Sequence, residues 1–288
     1  MIASLIVNPA SGGGSAGTQL PNYTAELERL GVPHTVTVTR SIEHARELGA
    51  EAAAAGHVAV AVGGDGLVSA VAAGLVERAG TLGILPGGRG NDFARVLGIS
   101  REGVGACQTL AAGQTTKVDL GSVSGRTFVG IATCGFDSDA NRIANEAKHV
   151  SHKLVYAYGG IRALIPWKPA TFQLTLDGVQ RELYGYNVAV ANSAAYGSGM
   201  YLAPNARTDD GLFDVVMIGD APKLDYLSHL PDVFKGTHVG LPMIEIVRAQ
   251  QVEITASRPF ALYADGDPLA DLPVKISMLP GAINVIVP

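Results

Sequence analysis

An uninterrupted apolar run that ends in a glycine-rich turn is the feature that most limits how this chain can fold. Val58–Val62 contains only Val and Ala, and residues 63–66 read Gly-Gly-Asp-Gly. Such a run is typical of a strand that is buried on both faces of a sheet. The next segment, Val68–Arg78, has a helical pattern. A buried strand, a tight turn and a helix in this order indicate a parallel sheet covered by helices.

The same order of strand, turn and helix recurs through the first third of the chain. Short strand patterns at Ser4–Val7, His34–Thr39 and Thr81–Leu85 alternate with helical patterns. This alternation predicts a doubly wound parallel sheet with helices on both faces. We place this α/β domain at residues 1–118 and expect a last strand, at about residues 283–288, to complete it.

Beyond residue 118 the pattern changes to short strands that are separated by turn signals, and the last two of these strands are predicted at Val274–Met278 and Ile283–Val287. Asp177-Gly178 lies between two strand patterns and favours a tight hairpin, and one helical segment, Ser138–Ile165, interrupts the strands. Residues 119–282 are therefore predicted to form a β-rich domain. The predicted fold class is α/β plus all-β, with an N-terminal doubly wound parallel sheet and a C-terminal antiparallel β-sandwich domain.

The composition argues against several classes of protein. The net charge of −5 argues against a nucleic-acid partner. The two cysteines, Cys107 and Cys134, form no C-x-x-C pair, which fits a reducing compartment. The first residues lack the basic and apolar regions of a signal peptide, and no apolar run of about 18 residues could span a bilayer. We therefore expect a cytoplasmic protein, with any membrane contact peripheral and at the inner face.

Two further glycine-rich turns follow strand patterns of the first domain. Residues 8–14 read Asn-Pro-Ala-Ser-Gly-Gly-Gly, and residues 85–95 read Leu-Pro-Gly-Gly-Arg-Gly-Asn-Asp-Phe-Ala-Arg. Glycines let a phosphate approach the main chain, and ligands of doubly wound sheets bind beyond the carboxyl ends of the strands. Any one of these turns could be merely structural, and none has the Walker A or Rossmann spacing. Together they predict one nucleotide crevice.

The order and spelling of these turns resemble the diacylglycerol kinase catalytic-domain family, which includes soluble bacterial lipid kinases and the related sphingosine and ceramide kinases. The resemblance continues through Cys134–Asp137, Pro204–Ala206 and Asp209–Gly211, and it ends at Asp265–Asp267. It covers nearly the whole chain. The joint pattern N-P-x-S-G, G-G-D-G, L-P-x-G-x-x-N-D-F-A, D-D-G and D-G-[ED] is specific.

The resemblance implies an ATP-dependent lipid kinase that takes part in phospholipid biosynthesis. Such an enzyme transfers the γ-phosphoryl group of ATP to a lipid hydroxyl, most simply that of diacylglycerol, and it uses Mg²⁺. The nucleotide would lie in the first domain and the lipid acceptor in the second. By matching motifs, the positions expected to contact ATP are Asn8, Ser11, Gly12, Thr39, Gly63, Gly64, Asp65, Gly66, Gly88, Arg89 and Asn91.

Carboxylates are the other residues that the resemblance singles out. The family's general base falls on Asp265 or Asp267, and a structural Mg²⁺ would bind Asp210 with main-chain carbonyls near Arg207 and Leu212. Phosphoryl transfer needs these groups. A carboxylate can remove the proton of the acceptor hydroxyl, and a hard cation prefers oxygen ligands.

Departures from the family pattern keep two alternatives open. The family usually continues Thr-x-Asn-Glu after Gly-Gly-Asp-Gly, whereas this chain has Leu67–Ala70. Asp267 stands in place of the usual Glu, and Arg89 occupies a position where close bacterial relatives often have Thr. One alternative is a catalytically weak or inactive nucleotide-binding regulatory protein. The other is an NAD kinase, whose fold is related, although the turns at residues 8–14 and 85–95 fit the lipid kinases better.

The segment Lys148–Pro169 is the predicted site of lipid contact. It combines basic residues with apolar and aromatic ones, which suits an anionic membrane surface but also suits a helix packed on the second domain. Trp167, the only tryptophan, is either an interfacial anchor or a core residue. An exposed edge strand of the second domain could also pair two subunits in a homodimer.

Overall fold

The structure is a computed structural model that describes residues 1–146, residue 164 and residues 166–288. The described strands are β1 (Ala3–Val7), β2 (His34–Val38), β3 (Val58–Gly63), β4 (Thr81–Pro86), β5 (Thr115–Val123), β6 (Arg126–Phe128), β7 (Ile131–Gly135), β8 (Ala170–Leu176), β9 (Val179–Ala191), β10 (Phe213–Gly219), β11 (Ile244–Ala249), β12 (Gln251–Ala256), β13 (Ala261–Ala264), β14 (Asp267–Asp271) and β15 (Val274–Ile286). The described α-helices are α1 (Ser15–Arg29), α2 (Ile42–Ala54), α3 (Asp65–Leu75), α4 (Asp92–Val96), α5 (Gly103–Ala112), α6 (Phe136–Glu146), α7 (Lys223–Ser228) and α8 (Leu230–Lys235). Short 3-10 turns at Ser11–Gly13, Val76–Arg78 and His238–Gly240 complete the described helical segments.

The first half of the chain forms the predicted α/β layer. Strands β2, β1, β3 and β4 lie side by side and parallel, in that order. All residues of β3 are buried, because the run of Val and Ala has helices on both of its faces. Helix α1 packs on α5 and α2 packs on α3, and right-handed crossovers put these pairs on opposite faces. The sheet therefore changes winding direction between β1 and β3, where ligand crevices form.

Strand β15 joins the two halves of the molecule. Its beginning pairs antiparallel with β12, whereas Asn284 and Val285 near its end pair parallel with Thr81 and Leu82 of β4. Strand β5 runs antiparallel along β15, and the register shifts between Leu279 and Ile283. The two strands that the sequence predicts at residues 274–278 and 283–287 are thus one irregular strand. The N-terminal sheet is mixed rather than wholly parallel.

The second half is the predicted antiparallel β-sandwich-like domain. Strands follow the order β14, β13, β7, β9, β8 and β12, and β10 lies beside β9 with β11 at its outer side. The hairpin between β8 and β9 turns at Asp177 and Gly178, whose φ angles are 47° and 85°. Positive φ at both central residues is the geometry of the predicted tight turn.

The helical interruption predicted at Ser138–Ile165 begins at Phe136 as helix α6, and most of its remainder lies outside the described residues. Lys148, Lys153 and Arg162 of the predicted lipid-contact segment lie there too. Trp167 is 5% exposed, stacks on Tyr186 and donates its indole N–H to Asp139 Oδ2 at 2.9 Å. It is therefore a core residue. No helix in the described part of the chain combines the length and apolarity that crossing a bilayer requires.

Candidate functional site

The three glycine-rich turns meet at the carboxyl ends of β1, β3 and β4. A Cβ atom at Gly12, where φ is 64°, would collide with the carbonyl oxygen of Gly87. A Cβ atom at Gly88 would collide with the Cα of Gly64. Glycine is required at these points because the backbones of neighbouring turns touch. The structure thus brings together the turns from which the nucleotide crevice is predicted.

The turn after β1 is held by its own polar groups. The Asn8 carboxamide oxygen accepts the N–H of Ala10 at 3.1 Å, and the N–H of Ser11 donates to the Asn8 carbonyl at 3.0 Å. The Ser11 hydroxyl lies beside Gly63, 3.0 Å from where a Cβ of that residue would be. Thr39, at the end of β2, donates its N–H to Val7 at 2.8 Å and therefore borders the same turn.

The turn after β4 is shaped by Asn91. This residue has a left-handed φ of 49°, and its carboxamide oxygen accepts the N–H of Gly88 at 2.8 Å. The carboxamide nitrogen donates back to the Gly88 carbonyl at 3.0 Å. Arg89 lies at the tip of the turn and is exposed. The Asn91 side chain thus shapes the turn, while the Arg89 side chain is accessible.

A pocket lies between these turns and the second half of the molecule, and we call it the acidic pocket. It has a volume of about 90 Å³ and contains three carboxylates. It is lined by Asp65, Gly90, Asp92, Phe93, Gly130, Ile131, Thr133, Ala195, Tyr196, Gly197, Ser198, Tyr263, Asp265 and Gly266.

The two acids from the first half are held by main-chain donors. Asp65 accepts the N–H of Phe93 at 3.1 Å, and Asp92 Oδ2 accepts the N–H of Ser198 at 2.7 Å. The other oxygen of Asp92 is buried without a hydrogen-bond partner. Burial, and next the negative charge of Asp65, raise the pKa of Asp92. A cation bound in this pocket would relieve both effects.

Asp265 enters the acidic pocket from the second half, at a positive φ of 53°. Its two oxygens accept the N–H groups of Val129 and Gly130, each at 2.9 Å. Burial raises the pKa of Asp265 to about 6, and hydrogen bonds from Val129, Ser69 and Gly130 oppose that rise. Because Ser69 lies in helix α3, this carboxylate also links the two halves.

Asp267 lies two residues further on, at the start of β14, and is exposed. One of its oxygens is 3.0 Å from where a Cβ of Gly66 would be, so it borders the Gly-Gly-Asp-Gly turn. Partial desolvation raises its pKa, and the Arg126 guanidinium opposes this. Arg126 is held nearby because it donates to the Leu269 carbonyl at 2.6 Å. Both candidate bases therefore lie at the cleft between the halves.

A second, larger space adjoins the acidic pocket, and we call it the apolar cavity. It has a volume of about 490 Å³ and a predominantly apolar lining. It is lined by Phe136, Asp137, Ala140, Tyr196, Gly197, Ser198, Met200, Leu202, Ile218, Tyr226, Leu227, His229, Leu230, Val233, Phe234, His238, Leu241, Met243 and Ile244. The sequence analysis missed this cavity, since its lining residues are scattered along the chain without a local pattern.

One loop separates the two spaces, because Tyr196, Gly197 and Ser198 line both of them. The φ angles of Gly197, Ser198 and Gly199 are 60°, 70° and 106°. Ser198 is a non-glycine residue in the left-handed region, which costs conformational energy. Its N–H is the one that Asp92 accepts, so the strained loop is fixed to the acidic pocket.

A buried polar cluster lies beside this shared wall. Asp137 Oδ2 accepts the Tyr196 hydroxyl at 2.8 Å and the Asn187 amide at 2.9 Å. The Asn187 amide also donates to the Thr133 hydroxyl at 2.8 Å. Burial raises the pKa of Asp137 to about 6, and hydrogen bonds from Tyr196 and Thr133 oppose the rise. These hydrogen bonds connect the shared wall to β7, which contains Thr133, and to β9, which contains Asn187.

Comparison with known proteins agrees with this geometry. Residues 3–123 match the diacylglycerol kinase catalytic domain, and residues 130–287 match the YegS C-terminal NAD kinase beta sandwich-like domain. A diacylglycerol kinase of Mycobacterium tuberculosis is 35% identical, over 98% of this chain and 94% of that protein. The chain belongs to the diacylglycerol kinase family.

Other members of the diacylglycerol kinase family match this chain along nearly its whole length. A diacylglycerol kinase of Bacillus subtilis is 29% identical over 99% of this chain and 96% of that protein. A crystal structure of a diacylglycerol kinase from Bacillus anthracis superposes with a TM-score of 0.75 at 22% identity, covering 99% of this chain and 96% of the other. That structural match supports the fold alone.

The residues at the expected structural Mg²⁺ site of the family have partners within the protein. Asp210 forms an ion pair with Arg248 and accepts the N–H of Leu212 at 3.2 Å. Arg207 pairs instead with Asp209, at 3.1 Å. Among the described residues, no three His, Cys, Asp or Glu side chains are placed to hold one metal ion together. A lone carboxylate that is already paired with a guanidinium is a poor fit for Mg²⁺, and the site at Asp210 stays a prediction.

Residues that depart from the family pattern have clear places in the structure. Ala70, which replaces the usual Glu, is 6% exposed and belongs to the hydrophobic core of the first half. Ser69, at the position of the usual Asn, is the residue that reaches Asp265. The helix after the Gly-Gly-Asp-Gly turn therefore keeps a polar link to the second half without the family's glutamate.

Proposed function

We propose that this chain is an ATP-dependent lipid kinase whose acceptor is diacylglycerol and whose product is phosphatidic acid. One observation carries the proposal: the acidic pocket and the apolar cavity share the wall formed by Tyr196, Gly197 and Ser198. A kinase for a lipid needs a polar centre for the phosphates and an apolar space for hydrocarbon, with the reacting hydroxyl between them. Full-length relatives named diacylglycerol kinase support the choice of acceptor.

In this proposal each half of the molecule has its own role. Residues 1–118, with the end of β15, form the nucleotide-binding domain, and residues 119–282 form the acceptor domain. The ATP phosphates lie against the turns at residues 8–14, 63–66 and 85–95. Helix α3 begins at Asp65 in the second of these turns, and the N–H groups of a helix N-terminus neutralise phosphate charge. The exposed Arg89 guanidinium adds a positive charge suited to phosphates.

The acidic pocket fits the Mg²⁺ that accompanies ATP. Its carboxylates are oxygen ligands, and Asp92 Oδ1 accepts no hydrogen bond, although the Arg95 guanidinium lies 3.7 Å from it. Asp65 and Asp92 would hold the ion together with the phosphates, because Mg²⁺ commonly takes one or two carboxylates and completes its shell with substrate oxygens and water. When bound, Mg²⁺ neutralises the charge that develops on the transferred phosphoryl group.

Asp267 is the general base in this proposal, and Asp265 is a positioning residue. Both oxygens of Asp265 already accept main-chain N–H groups, whereas Asp267 is exposed and borders Gly66. The acceptor hydroxyl gives its proton to an Asp267 oxygen while its own oxygen attacks the γ-phosphorus. The bond from that phosphorus to the β,γ-bridging oxygen breaks, and ADP leaves. The raised pKa of Asp267 makes it a better proton acceptor.

The acyl chains of the acceptor occupy the apolar cavity in this proposal. Burial of each methylene contributes about 0.8 kcal/mol, so the cavity favours long chains over short ones. NAD, the acceptor of the alternative enzyme, is polar and would gain nothing from such a lining. The cavity therefore favours the lipid kinase over the NAD kinase, although the second half matches a domain described as NAD kinase-like.

The test is phosphate transfer from labelled ATP with Mg²⁺. The acceptors are diacylglycerol, monoacylglycerol, ceramide and a sphingoid base in mixed micelles, and NAD in solution. Asp267→Asn and Asp265→Asn are assayed beside Asp271→Asn, which alters an exposed carboxylate on the same strand. We expect diacylglycerol to be phosphorylated, with kcat reduced about 10²–10⁴-fold by Asp267→Asn and unchanged by Asp271→Asn.

Four results would contradict the proposal or a part of it. Phosphorylation of NAD alone would identify the alternative enzyme. ATP binding without transfer to any acceptor would indicate the regulatory protein. Phosphorylation of another lipid would keep the mechanism but replace the acceptor. Loss of activity in Asp265→Asn with full activity in Asp267→Asn would reassign the base. The homodimer stays a prediction that this assay does not address.

A further inference from the structure

Helices α7 and α8 carry a cluster of large apolar side chains that are exposed. The exposed fractions are 79% for Leu224, 40% for Leu227, 42% for Leu230 and 49% for Phe234. Single exposed apolar residues are ordinary on protein surfaces, but a group within two consecutive short helices marks an interaction surface. We call these four side chains the apolar helix surface.

The apolar helix surface is continuous with the apolar cavity. Leu227, Leu230 and Phe234 line the cavity and are also exposed, so the same side chains form its wall and part of the outer surface. Leu224 lies on the outer side and does not line the cavity. Apolar side chains of the two helices therefore connect the cavity lining with the outer surface.

We propose that the apolar helix surface inserts into a lipid bilayer and that the acceptor enters the cavity directly from the membrane between α7 and α8. This proposal rests on the proposed function, because it takes the acceptor to be a membrane lipid. A two-chain lipid avoids water, so its path from the bilayer must stay apolar. The surface described here supplies that path, and it lies outside the segment at residues 148–169 that the sequence predicts for lipid contact.

A bilayer fits this surface better than a second copy of the chain. A partner subunit seated on Leu224 and Phe234 would cover the side chains that border the cavity and close the entry. A lysine lies at each end of the segment that carries this surface. Lys223 is at the start of α7 and Lys235 is at the end of α8. Lysines beside apolar side chains match the phosphate level of a membrane, above its hydrocarbon.

Because leucines insert in this proposal, the free energy of binding to a vesicle comes mainly from the burial of apolar surface. Asp232, the acid in the first turn of α8, is hydrogen-bonded to His229 at 2.8 Å. Asp225 in α7 is a further acid, so the lysines give the surface little net positive charge. We therefore expect binding to neutral vesicles as well as to anionic ones, with weak dependence on salt.

The test measures binding to vesicles without any turnover. The full chain is sedimented with phosphatidylcholine vesicles, with or without phosphatidylserine, in the absence of ATP and diacylglycerol. Leu224→Gln removes an exposed side chain that does not line the cavity. Val104→Gln is the matched control, because Val104 is 56% exposed on helix α5 of the other half. We expect the partition coefficient to fall about tenfold for Leu224→Gln, from the burial of one leucine, and to stay unchanged for Val104→Gln.

A fluorescence measurement gives an independent readout. Leu224→Trp places an indole on the apolar helix surface, whereas the native Trp167 is buried and contributes a constant background. We expect a blue shift of the Leu224→Trp emission on adding vesicles, and none for Val104→Trp. The proposal is overturned if the wild-type chain does not bind vesicles, or if Leu224→Gln binds as well as Val104→Gln.

Two further measurements separate this proposal from its alternatives. If Leu224→Gln converts a dimer to a monomer in light scattering, the surface joins two copies and the membrane proposal is wrong. Activity on a monodisperse short-chain diacylglycerol should be the same for Leu224→Gln and the wild type. If no lipid is phosphorylated by either protein, the proposed function fails even where vesicles are bound.

Discussion

The acidic pocket and the apolar cavity are neighbours with opposite chemistry. The pocket is small, at about 90 Å³, and its carboxylates are held by main-chain N–H groups. The cavity is about 490 Å³ and has few polar side chains. Among the described residues, Tyr196, Gly197 and Ser198 are the ones that line both spaces. In the proposed function, phosphoryl transfer and acceptor selection are divided between these two spaces, so that changes in one should leave the other largely intact.

Two half-buried acids, Asp265 and Asp137, lie on the two sides of this loop and extend the comparison. Burial raises the pKa of both Asp265 and Asp137 to about 6. Asp265 also has the negative charge of Asp65 nearby, whereas Asp137 has the Tyr196 hydroxyl. Similar pKa values in such different surroundings show that desolvation outweighs the local partners at both positions.

The largest expected effect is a loss of kcat caused by a substitution in the acidic pocket. Asp65→Asn keeps an oxygen that can accept the N–H of Phe93 but removes the charge beside the glycine-rich turns. We expect kcat to fall about 10²–10³-fold, because electrostatic groups aimed at a transferring phosphoryl group contribute on this scale. The loss should be equal for long-chain and short-chain acceptors, which is measured by steady-state kinetics with both. A loss confined to long chains would contradict the division between the two spaces.

The next effect is on the apolar side. Val233→Trp fills part of the cavity with an indole. We expect kcat/KM for a long-chain diacylglycerol to fall about 100-fold, because excluding about four methylenes costs about 3 kcal/mol. The KM for ATP and the activity on a short-chain acceptor should change little. Equal losses for all chain lengths would show that the hydrocarbon lies elsewhere, and Val104→Trp serves as the control for adding an exposed indole.

A smaller effect is expected at the wall itself. Tyr196→Phe removes a hydrogen bond to the half-buried Asp137 carboxylate, and we expect it to lower the free energy of unfolding by about 2 kcal/mol at about pH 7.5. The loss should shrink at about pH 5, because Asp137, with its folded-state pKa raised to about 6, is then largely protonated.

Asp137→Asn tests the same polar cluster by removing the charge of the carboxylate instead of its tyrosine partner. A raised folded-state pKa means that the ionised Asp137 destabilises the fold fully above about pH 6, and the penalty disappears as the pH falls from there towards the unfolded-state value. The stability of the wild type relative to Asp137→Asn should therefore rise as the pH falls. Thermal unfolding across this range checks it, and a parallel pH dependence of the two proteins would contradict it.

The smallest expected effect is on the pKa of Asp267, the proposed general base. Arg126 opposes the rise in the pKa of Asp267, so Arg126→Gln should raise that pKa further. The acidic limb of the kcat/KM profile would then move to higher pH, by less than about one unit, because the guanidinium acts near the surface where solvent screens it. An unmoved limb would remove Asp267 as the titrating base.

Local sequence signals predicted the elements around the acidic pocket much better than those around the apolar cavity. The run Val58–Val62 and the glycine-rich turns are contiguous, so strand, turn and helix could be placed without knowing the tertiary fold. The single strand β15 was predicted as two, because Pro280 and Gly281 at its irregularity have the composition of a loop. Helices α7 and α8 have six residues each, too few to show a helical period.

The apolar cavity could not be predicted because its lining is assembled only by the tertiary fold. Phe136 and Phe234 lie almost one hundred residues apart and meet around one space. The same is true of the polar links across the cleft. Ser69 reaches Asp265, and Asp92 accepts the N–H of Ser198, through contacts that no spacing in the sequence encodes.

Strand β15 has a consequence for the order in which the chain can be completed during translation. Strand β4 lacks its second neighbour until about two hundred further residues have been made, since Thr81 pairs with Asn284. Until then the nascent first half has an open sheet edge, which favours wrong pairing. A ribosome that stalls after residue 118 would therefore release a fragment with an unfinished sheet. The first half of this protein is thus not a module that could be inherited or expressed by itself without a substitute for that strand.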